Sequence, residues 1–359
     1  MDPAPSAPHD LTAPAAAPTG AAALAQAVDA RPARPSISVV VPAYNEARNL
    51  PPLLEVLGPA LAALSDLWEV VVVDDGSRDD TAAALAPWLQ AVGQPGARTP
   101  RGGGVRLITL SRNFGKEAAL SAGLDRARGE VVVLMDADLQ HPVALLESML
   151  ARWRAGADSV CAVRVHRGDE GWIKRLGTRI FYGIVNAGSS RPIPQGAGDF
   201  RLMDRRVVQA LCALPERNRF LKGLYAWVGF ATDYLPYQPD PRAHGESTFS
   251  LRRLRRLAMT GITAFSTLPL RLWSGIGAVI AFAALAYGVW IVISHFISGN
   301  PVPGWATLAA GMMFFSGVQL LSIGILGEYL GRVFEEVKGR PIYIVDRELG
   351  HSSVPRPPA

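Results

Sequence analysis

The chain has 359 residues, of which 49% are hydrophobic and 19% charged, and its mean hydropathy is +0.17. This composition excludes disorder or fibre formation for the chain as a whole, and the hydropathy is high for a purely soluble enzyme. The net charge of +5 is too small to indicate an acidic partner by itself. We expect no nucleic acid as a partner. The two cysteines, Cys161 and Cys212, are too few for a disulfide framework and favour a reducing compartment.

The first part of the chain divides into a leader and a folded domain. Residues 1–35 are dominated by Ala and Pro and lack apolar periodicity, so we expect them to be disordered. Over residues 36–245, short apolar runs alternate with segments of helical pattern, which predicts an α/β fold with a mainly parallel sheet and helices on both faces. Residues 90–104, rich in Gly and Pro, predict a long surface loop. The main runs lie at residues 37–41, 68–73, 105–110 and 130–135.

The second part of the chain is predicted to contact a membrane. Residues 246–271 contain a basic amphipathic stretch, typical of a helix that lies on a membrane surface. Two stretches without charged residues, 272–297 and 305–327, are each long enough to cross a bilayer core of about 30 Å. The arginines that lie mainly off the apolar stripe of the surface helix are Arg252, Arg253, Arg255 and Arg256.

Basic residues around these two stretches predict their orientation. The connection 298–304 contains no Lys or Arg, whereas basic residues flank the two outer ends. The positive-inside rule therefore predicts a hairpin over residues 272–331 in the inner (plasma) membrane, with the domain at residues 36–245 and residues 332–359 in the cytoplasm. The flanking basic residues are Arg271, Arg332, Lys338 and Arg340.

The triplet Asp136-Ala137-Asp138 is the sharpest chemical signal, because it follows directly after an apolar strand. Two carboxylates at a strand end can hold a divalent cation such as Mg2+ or Mn2+ beside a diphosphate, and Gln140 could add a carbonyl oxygen. Asp75 ends another run and predicts a second loop at the same sheet edge. The alternative is an ordinary turn or solvated strand end, since such a triplet occurs often by chance.

A second group of residues follows the first strand. In Pro42-Ala43-Tyr44-Asn45-Glu46 the aromatic ring could stack on a base, and the carboxylate could bind its polar edge or the ribose. The alternative is a loop that needs no ligand. Residues 75–77 have the same alternative, as a turn and helix cap in which Ser77 or Asp79 accepts backbone N–H groups.

Several sequence blocks, taken in order, carry a family resemblance. The chain contains VVVPAYNEARNL (39–50), VVVDDGSRDDT (71–81), LSRNFGKEAAL (110–120), VVLMDADLQHP (132–142) and GDFRLMDRRV (198–207). Over residues 36–345 it resembles the family-2 glycosyltransferases that charge polyisoprenyl phosphates. Within that family it is similar to bacterial undecaprenyl-phosphate glucosyltransferases and aminoarabinosyltransferases, and more distantly to dolichol-phosphate mannose synthase. It departs from the pattern in its leader, in the long loop 90–104, and at His141, where many relatives have Asn or Asp.

The resemblance implies a GT-A type nucleotide-diphospho-sugar transferase domain and a role for each matching residue. The catalytic residues are expected to be Asp136, Asp138 and Asp199, with Asp199 facing the sugar hydroxyls. The nucleotide-sugar is expected to contact Pro42, Tyr44, Glu46, Asp75 and Asp136. The metal ligands are expected to be Asp136, Asp138 and Gln140. The acceptor phosphate is expected to contact Arg164, Lys174 and Thr178.

The implied activity is inverting transfer of a sugar, with glucose favoured, from a UDP-sugar to undecaprenyl phosphate or a similar polyisoprenyl phosphate. The reaction is expected to take place at the cytoplasmic membrane face with Mg2+ or Mn2+, and to need a separate flippase. Membrane lipids are expected partners, and a homo-oligomer is allowed. One alternative is a processive polysaccharide synthase, but Met149 stands where the Q-x-x-R-W block of those enzymes has Gln. The other is a non-catalytic membrane scaffold that binds nucleotide-sugars, although both D-x-D carboxylates are present.

Overall fold

The fold is taken from a computed structural model. It describes residues 31–90, 98–164, 197–217, 219–238 and 304–356, together with scattered positions between 277 and 297. The predictions for most of the leader, for residues 91–97 of the long loop, for the surface helix 246–271 and for most of the hairpin connection lie outside the described residues.

The described residues contain eight strands and eight helices. The strands are β1 (Ile37–Ala43), β2 (Trp68–Asp74), β3 (Gly103–Leu110), β4 (Val131–Leu134), β5 (Ser159–Arg164), β6 (Ala197–Asp204), β7 (Thr232–Tyr237) and β8 (Val345–Gly350). The helices are α1 (Leu50–Leu64), α2 (Thr81–Ala84), α3 (Ala86–Leu89), α4 (Lys116–Arg126), α5 (Leu145–Arg154), α6 (Arg205–Ala213), α7 (Leu221–Trp227) and α8 (Trp305–Val337).

The strands form one sheet in the order β7-β5-β6-β4-β1-β2-β3-β8. The four central strands β4, β1, β2 and β3 are parallel, whereas β6 is antiparallel to β4 and β5, and β8 is antiparallel to β3. The predicted α/β fold is confirmed, and the sheet is mixed outside its parallel centre. Because β6 runs against β4, the beginning of β6 lies beside the carboxyl end of β4.

The apolar strand sequences are explained by burial on both faces of the sheet. Successive side chains of a strand point to opposite faces. Val39 and Val41 of β1 belong to the core that contains α1 and α5, whereas Val40 belongs to the core that contains α4, α6 and α7. All three valines are fully buried. The helices therefore lie on both faces, as the sequence predicts.

The strand β3 begins two residues earlier than its apolar run, at Gly103. A Cβ at this position would lie 2.1 Å from Cζ2 of Trp68, so only glycine lets the strand pass the indole ring. Trp68 itself is almost completely buried. Gly103, which the sequence places in a loop, therefore serves close packing against β2.

The helix α8 spans 33 residues and continues ten residues beyond the predicted end of the second apolar stretch. At 1.5 Å per residue it is about 50 Å long, which exceeds a bilayer core. Within the described part of the chain, one helix is long and apolar enough to cross a membrane, and its qualifying stretch is Phe314–Val337. In the first predicted span, the described positions between 277 and 297 are helical.

After α8 the chain returns to the sheet, where β8 pairs with the edge strand β3. Arg106 of β3 lies between two carboxylates, at 3.0 Å from Oε2 of Glu69 and in contact with Glu348 of β8. Glu69 is fully buried and also accepts hydrogen bonds from Ser38 and from the backbone N–H of Arg128. The segment that follows the apolar helix is thus joined to the sheet by strand pairing and by an ion pair from the partly exposed Glu348 to the buried Arg106.

Candidate active site

The predicted site residues gather at the edge of the sheet where the parallel strands β1, β2 and β4 end. Glu46 follows β1, Asp75 follows β2, and Asp136 and Asp138 follow β4. Asp199 joins them from the beginning of the antiparallel strand β6. Ligands of open α/β sheets bind at this edge, because the loops after parallel strands meet there.

Pro42 lies in a central strand, which is unusual because proline cannot donate a ladder hydrogen bond. The backbone N–H of Met135 donates to the carbonyl of Val40, so that side of β1 faces β4. The pairing with β4 ends at Val40, two residues before Pro42. The proline therefore costs no ladder bond to β4, and it lies where β1, still paired with β2, extends past the end of β4 toward the site.

The loops after β1 and β2 are joined by hydrogen bonds. The N–H of Asn45 donates to Oγ of Ser77 at 2.9 Å, and the N–H of Arg78 donates to Oδ1 of Asn45 at 2.8 Å. The N–H of Glu46 donates to Oγ1 of Thr81 at 3.0 Å. Tyr44, beside this junction, has 42% of its surface exposed, as a ring that stacks on a ligand would need. Ser77 therefore accepts a backbone N–H as the turn alternative expects, but from the neighbouring loop, and Asp79 accepts the N–H of Thr81.

Asp75 organises the loop that precedes α4. Its two carboxylate oxygens accept hydrogen bonds from the N–H groups of Phe114 and Gly115, at 2.7 and 2.8 Å. Gly115 has a φ of 102°, a left-handed conformation that favours glycine, and the next residue begins α4. Burial raises the pKa of Asp75, and these two hydrogen bonds oppose that effect. The sequence predicts Asp75 at the nucleoside, and that contact stays a prediction.

Lys116, the first residue of α4, connects two of the predicted catalytic carboxylates. Its Nζ lies 2.6 Å from Oδ1 of Asp136 and 2.8 Å from Oδ2 of Asp199. Burial favours the neutral amine, but Asp199 and Asp136 outweigh it and raise the pKa of Lys116. Burial alone would raise the pKa of Asp199, yet Lys116 and Lys222 hold it below its usual value. Asp199 and Lys116 are thus both charged at neutral pH.

The turn after β4 is compact. Oδ1 of Asp138 accepts a hydrogen bond from the N–H of Gln140, and Leu139 between them has a φ of 59°. A left-handed conformation in a bulky residue is strained and is found mainly at functional sites. The N–H of Asp136 donates to Nδ1 of His141, whose ring stacks on Phe200 at 4.6 Å between centroids. His141 is therefore part of the frame that positions the triplet.

The carboxylates of the site lie close enough to influence one another. Burial raises the pKa of Glu46, a hydrogen bond from Asn49 opposes it, and the charges of Asp138 and Asp136 add to the increase. A divalent cation would relieve this repulsion, and Mg2+ is typically bound by one or two carboxylates together with substrate phosphates. Asp136 and Asp138 fit that pattern. Among the described residues, no group of three or more His, Cys, Asp or Glu side chains is arranged to hold a metal ion by itself.

The predicted acceptor residues are only partly described. Arg164 is the last residue of β5 and is exposed, one position beyond the pair that joins Val163 to Ala197 of β6. It therefore lies at the same sheet edge as Asp199. Lys174 and Thr178 lie outside the described residues.

Sequence reasoning missed three ionisable residues near Asp199. Lys116 stands in the quoted block LSRNFGKEAAL directly after a predicted strand, and that position could have identified it. Glu117 accepts a hydrogen bond from the N–H of Leu221, and burial together with Asp199 raises its pKa to about 7. Lys222 lies near the beginning of α7, and no sequence pattern identifies it as a site residue.

Asp199 lies near the buried side chains of Arg201 and Tyr225. Oδ1 of Asp199 is buried without a hydrogen-bond partner, as are the hydroxyl of Tyr225 and Nε of Arg201. The guanidinium of Arg201 stacks on the Tyr225 ring at 4.0 Å and donates to Oγ of Ser159. A buried carboxylate oxygen without a partner is costly, so a ligand that donates a hydrogen bond there would be favoured.

Comparison with protein families assigns both parts of the chain. Residues 38–212 match the model of glycosyl transferase family 2, and residues 268–333 match the GtrB C-terminal hairpin. The first match includes every described site residue that the sequence predicts, and also Lys116 and Glu117. The second covers the two predicted membrane spans.

Curated relatives match over nearly their full lengths. The uncharacterised glycosyltransferase sll0501 of Synechocystis sp. is 42% identical over 319 residues, which are 89% of this chain and 97% of the relative. The SfII prophage-derived bactoprenol glucosyl transferase of Shigella flexneri is 42% identical over 311 residues, 87% of this chain and 97% of the relative. A prophage bactoprenol glucosyl transferase homolog of Escherichia coli K12 is 40% identical, over 87% of this chain and 98% of the relative.

Among solved structures, the chain is similar to glucosyl-3-phosphoglycerate synthase from Mycobacterium tuberculosis, which was crystallised with Mn2+, UDP and phosphoglyceric acid. That match has a TM-score of 0.45 and 20% sequence identity, and it covers 67% of this chain and 79% of the other. A likeness at this level does not extend to ligands or to the roles of residues.

Proposed function

The chain belongs to glycosyltransferase family 2 and is a glycosyltransferase, and we propose that it transfers glucose from UDP-glucose to a polyisoprenyl phosphate such as undecaprenyl phosphate. The observation that carries the proposal is the bridge of Lys116 between Asp136 and Asp199, at the sheet edge where nucleotide ligands bind. The names of the bactoprenol glucosyl transferase relatives support glucose and the polyprenyl acceptor.

The donor occupies the loops after β1, β2 and β4 in this proposal. Tyr44 stacks on the base, and Pro42 fixes the direction in which its loop leaves β1. Glu46 and Asp75 contact the nucleoside. Asp136 and Asp138, with Gln140, would hold Mg2+ or Mn2+, and the ion would supply positive charge for the leaving nucleoside diphosphate.

The acceptor determines the chemistry of transfer. A phosphate monoester has a second pKa near about 6, so one of its oxygens is anionic at neutral pH and needs no strong general base. That oxygen attacks the anomeric carbon, the bond from this carbon to the diphosphate breaks, and the configuration inverts. The protein mainly positions two anions that repel each other. Asp199 stands beside Lys116, where it can accept a hydrogen bond from a sugar hydroxyl.

Cations at the site favour the approach of the acceptor phosphate. Lys222 lies close enough to Asp199 to lower the pKa of that carboxyl, and Arg164 lies at the same sheet edge. In the proposal Arg164 contacts the lipid phosphate together with Lys174 and Thr178. Lys222 is added to this set because of its position near Asp199.

Membrane attachment places this site near the lipid. We assign the apolar segments to a hairpin in the inner membrane with both ends in the cytoplasm, where nucleotide-sugars are available. The match of residues 268–333 to the GtrB C-terminal hairpin and the length of α8 support this assignment. The product then forms on the cytoplasmic leaflet and requires a flippase to cross. Neither a processive synthase nor a non-catalytic scaffold is favoured by the relatives.

The test is release of UDP by the purified full chain in detergent, with UDP-glucose, Mg2+ and undecaprenyl phosphate. We expect release that depends on the lipid and a product that carries one glucose. Asp199→Asn provides the inactive control, and UDP-galactose and UDP-N-acetylglucosamine test the sugar. Absence of lipid-dependent turnover with any donor would contradict the proposal, and a polymeric product would identify a synthase.

A further inference from the structure

We propose that Lys116 occupies part of the metal site in the free enzyme, so that a divalent cation enters together with the donor diphosphate and not before it. In this model the ammonium leaves Asp136 when the metal and the diphosphate bind, and contacts the diphosphate while it keeps Asp199. The inference rests on the proposed function, because it concerns the metal site of that function.

The first support is the contact between Lys116 and a predicted metal ligand. Nζ of Lys116 lies 2.6 Å from Oδ1 of Asp136, a distance typical of a strong charge-assisted hydrogen bond. A metal ion bound to the same carboxylate would stand close to the ammonium, and two cations repel each other. Metal binding to the free enzyme therefore has to break this ion pair or tolerate the repulsion.

The second support is that the backbone around Lys116 is fixed. Asp75 binds the two preceding N–H groups through both of its oxygens. Gly76, with a φ of 68°, packs directly under the same loop, since a Cβ there would lie 2.7 Å from the carbonyl carbon of Arg112. The loop before Lys116 is thus held in place, and it positions the lysine side chain beside Asp136. Only the lysine stem has to rotate for the ammonium to move.

The third support is the partner that remains after Asp136 is released. Nζ also lies 2.8 Å from Oδ2 of Asp199, which is 13% exposed and comes from a different strand. A lysine has a flexible stem and three rotatable donors, so it can keep one carboxylate and exchange the other for a phosphate oxygen. The donor diphosphate brings the negative charge that compensates both the metal and the ammonium. The two cations are then compatible only when the diphosphate is present.

The experiment measures Mn2+ binding by the loss of the free-ion EPR signal, on the full chain in detergent, with and without UDP. Samples of UDP without protein correct for the Mn2+ that UDP itself binds. The variant Lys116→Met removes the charge and keeps an unbranched apolar stem, whereas Lys116→Arg keeps the charge and serves as the matched control. We expect Lys116→Met to bind Mn2+ without UDP at least tenfold more tightly than the wild type. We expect the same variant to bind UDP in the presence of Mn2+ at least tenfold more weakly. Lys116→Arg should not gain affinity for Mn2+ alone.

In Lys116→Met the affinity for Mn2+ alone should rise while the affinity for UDP falls. A purely structural role of Lys116 would instead weaken both affinities or change neither. Lys116→Met that binds Mn2+ alone no more tightly than the wild type would overturn the inference, even if the enzyme transfers glucose. If the variant does not fold, the wild type still decides, because the inference requires UDP to raise Mn2+ affinity at least tenfold. Failure of the wild type to bind Mn2+ even with UDP would overturn both the inference and the proposed metal site.

Discussion

Replacing Glu117 by Gln should stabilise the protein at alkaline pH and have little effect at acidic pH. Burial is the main reason that the pKa of Glu117 rises from 4.5 to about 7, and Asp199 adds to the increase. The N–H of Leu221 and the lysines Lys222 and Lys116 oppose it. Glutamine has nearly the shape of the protonated acid, and its carbonyl can accept the same hydrogen bond from Leu221.

The sign follows from proton binding in the two states. Between pH 4.5 and 7 the folded chain retains the Glu117 proton while the unfolded chain has lost it, so wild-type stability falls as the pH rises through this range. At about 1.4 kcal/mol for each pH unit, the ionised group costs the fold about 3 kcal/mol above pH 7, and about 2 kcal/mol after allowance for its partial exposure. The glutamine variant avoids this cost.

The assay is thermal unfolding of the detergent-purified full chain, without metal or donor, at several values between pH 5 and pH 8.5. A difference of about 2 kcal/mol corresponds to about 4–8 °C for a domain of this size. The gap between Glu117→Gln and the wild type should open between pH 5 and pH 7 and then stay constant. Glu147→Gln, at an exposed position on α5, controls for the loss of one negative charge. A gap that does not change with pH, or a variant that is less stable at pH 8, would refute the reasoning.

Three further predictions concern the metal, the lipid and the membrane topology. Asp138→Asn should reduce glucosyl transfer at least a hundredfold, while its unfolding temperature stays near that of the wild type. EDTA should reduce the activity of the wild type to a similar extent. Activity that persists in EDTA excludes a metal role. Replacing Arg252 and Arg253 by Glu should raise the apparent KM for undecaprenyl phosphate, because each basic residue near an anionic membrane surface contributes about 1 kcal/mol to membrane binding. The KM for the sugar donor should not change. A cysteine at Asn300 should react in intact cells with an impermeant thiol reagent, whereas one at Asp66 on the catalytic domain should not, and the reverse pattern contradicts the predicted orientation. Asp66 is the better control than the native Cys161, because Cys161 is buried and would escape labelling on either side.

The sequence by itself determined the α/β fold and the edge of the sheet at which the site lies. Apolar runs such as 68–73 and 130–135 are typical of buried strands, since each is short, rich in valine and followed by carboxylates. Parallel strands bring their carboxyl ends to one edge, which places Asp75, Asp136 and Asp138 together without any knowledge of strand order. These inferences depend on local pattern and on a general property of parallel sheets, so the chain sequence is sufficient for them.

Only the tertiary structure decided which side chains touch. The bridge of Lys116 to Asp136 and Asp199 joins a helix start, a strand end and the beginning of an antiparallel strand, and no spacing in the sequence encodes this contact. The return of β8 to the edge strand β3 is equally invisible, because the exposed sequence VDRELG has no apolar pattern and pairs through its backbone and through Glu348. Strand periodicity is a local property of the chain, whereas strand order and ion pairing depend on how distant segments pack. The local part could therefore be predicted, and the contacts of the site required the folded chain.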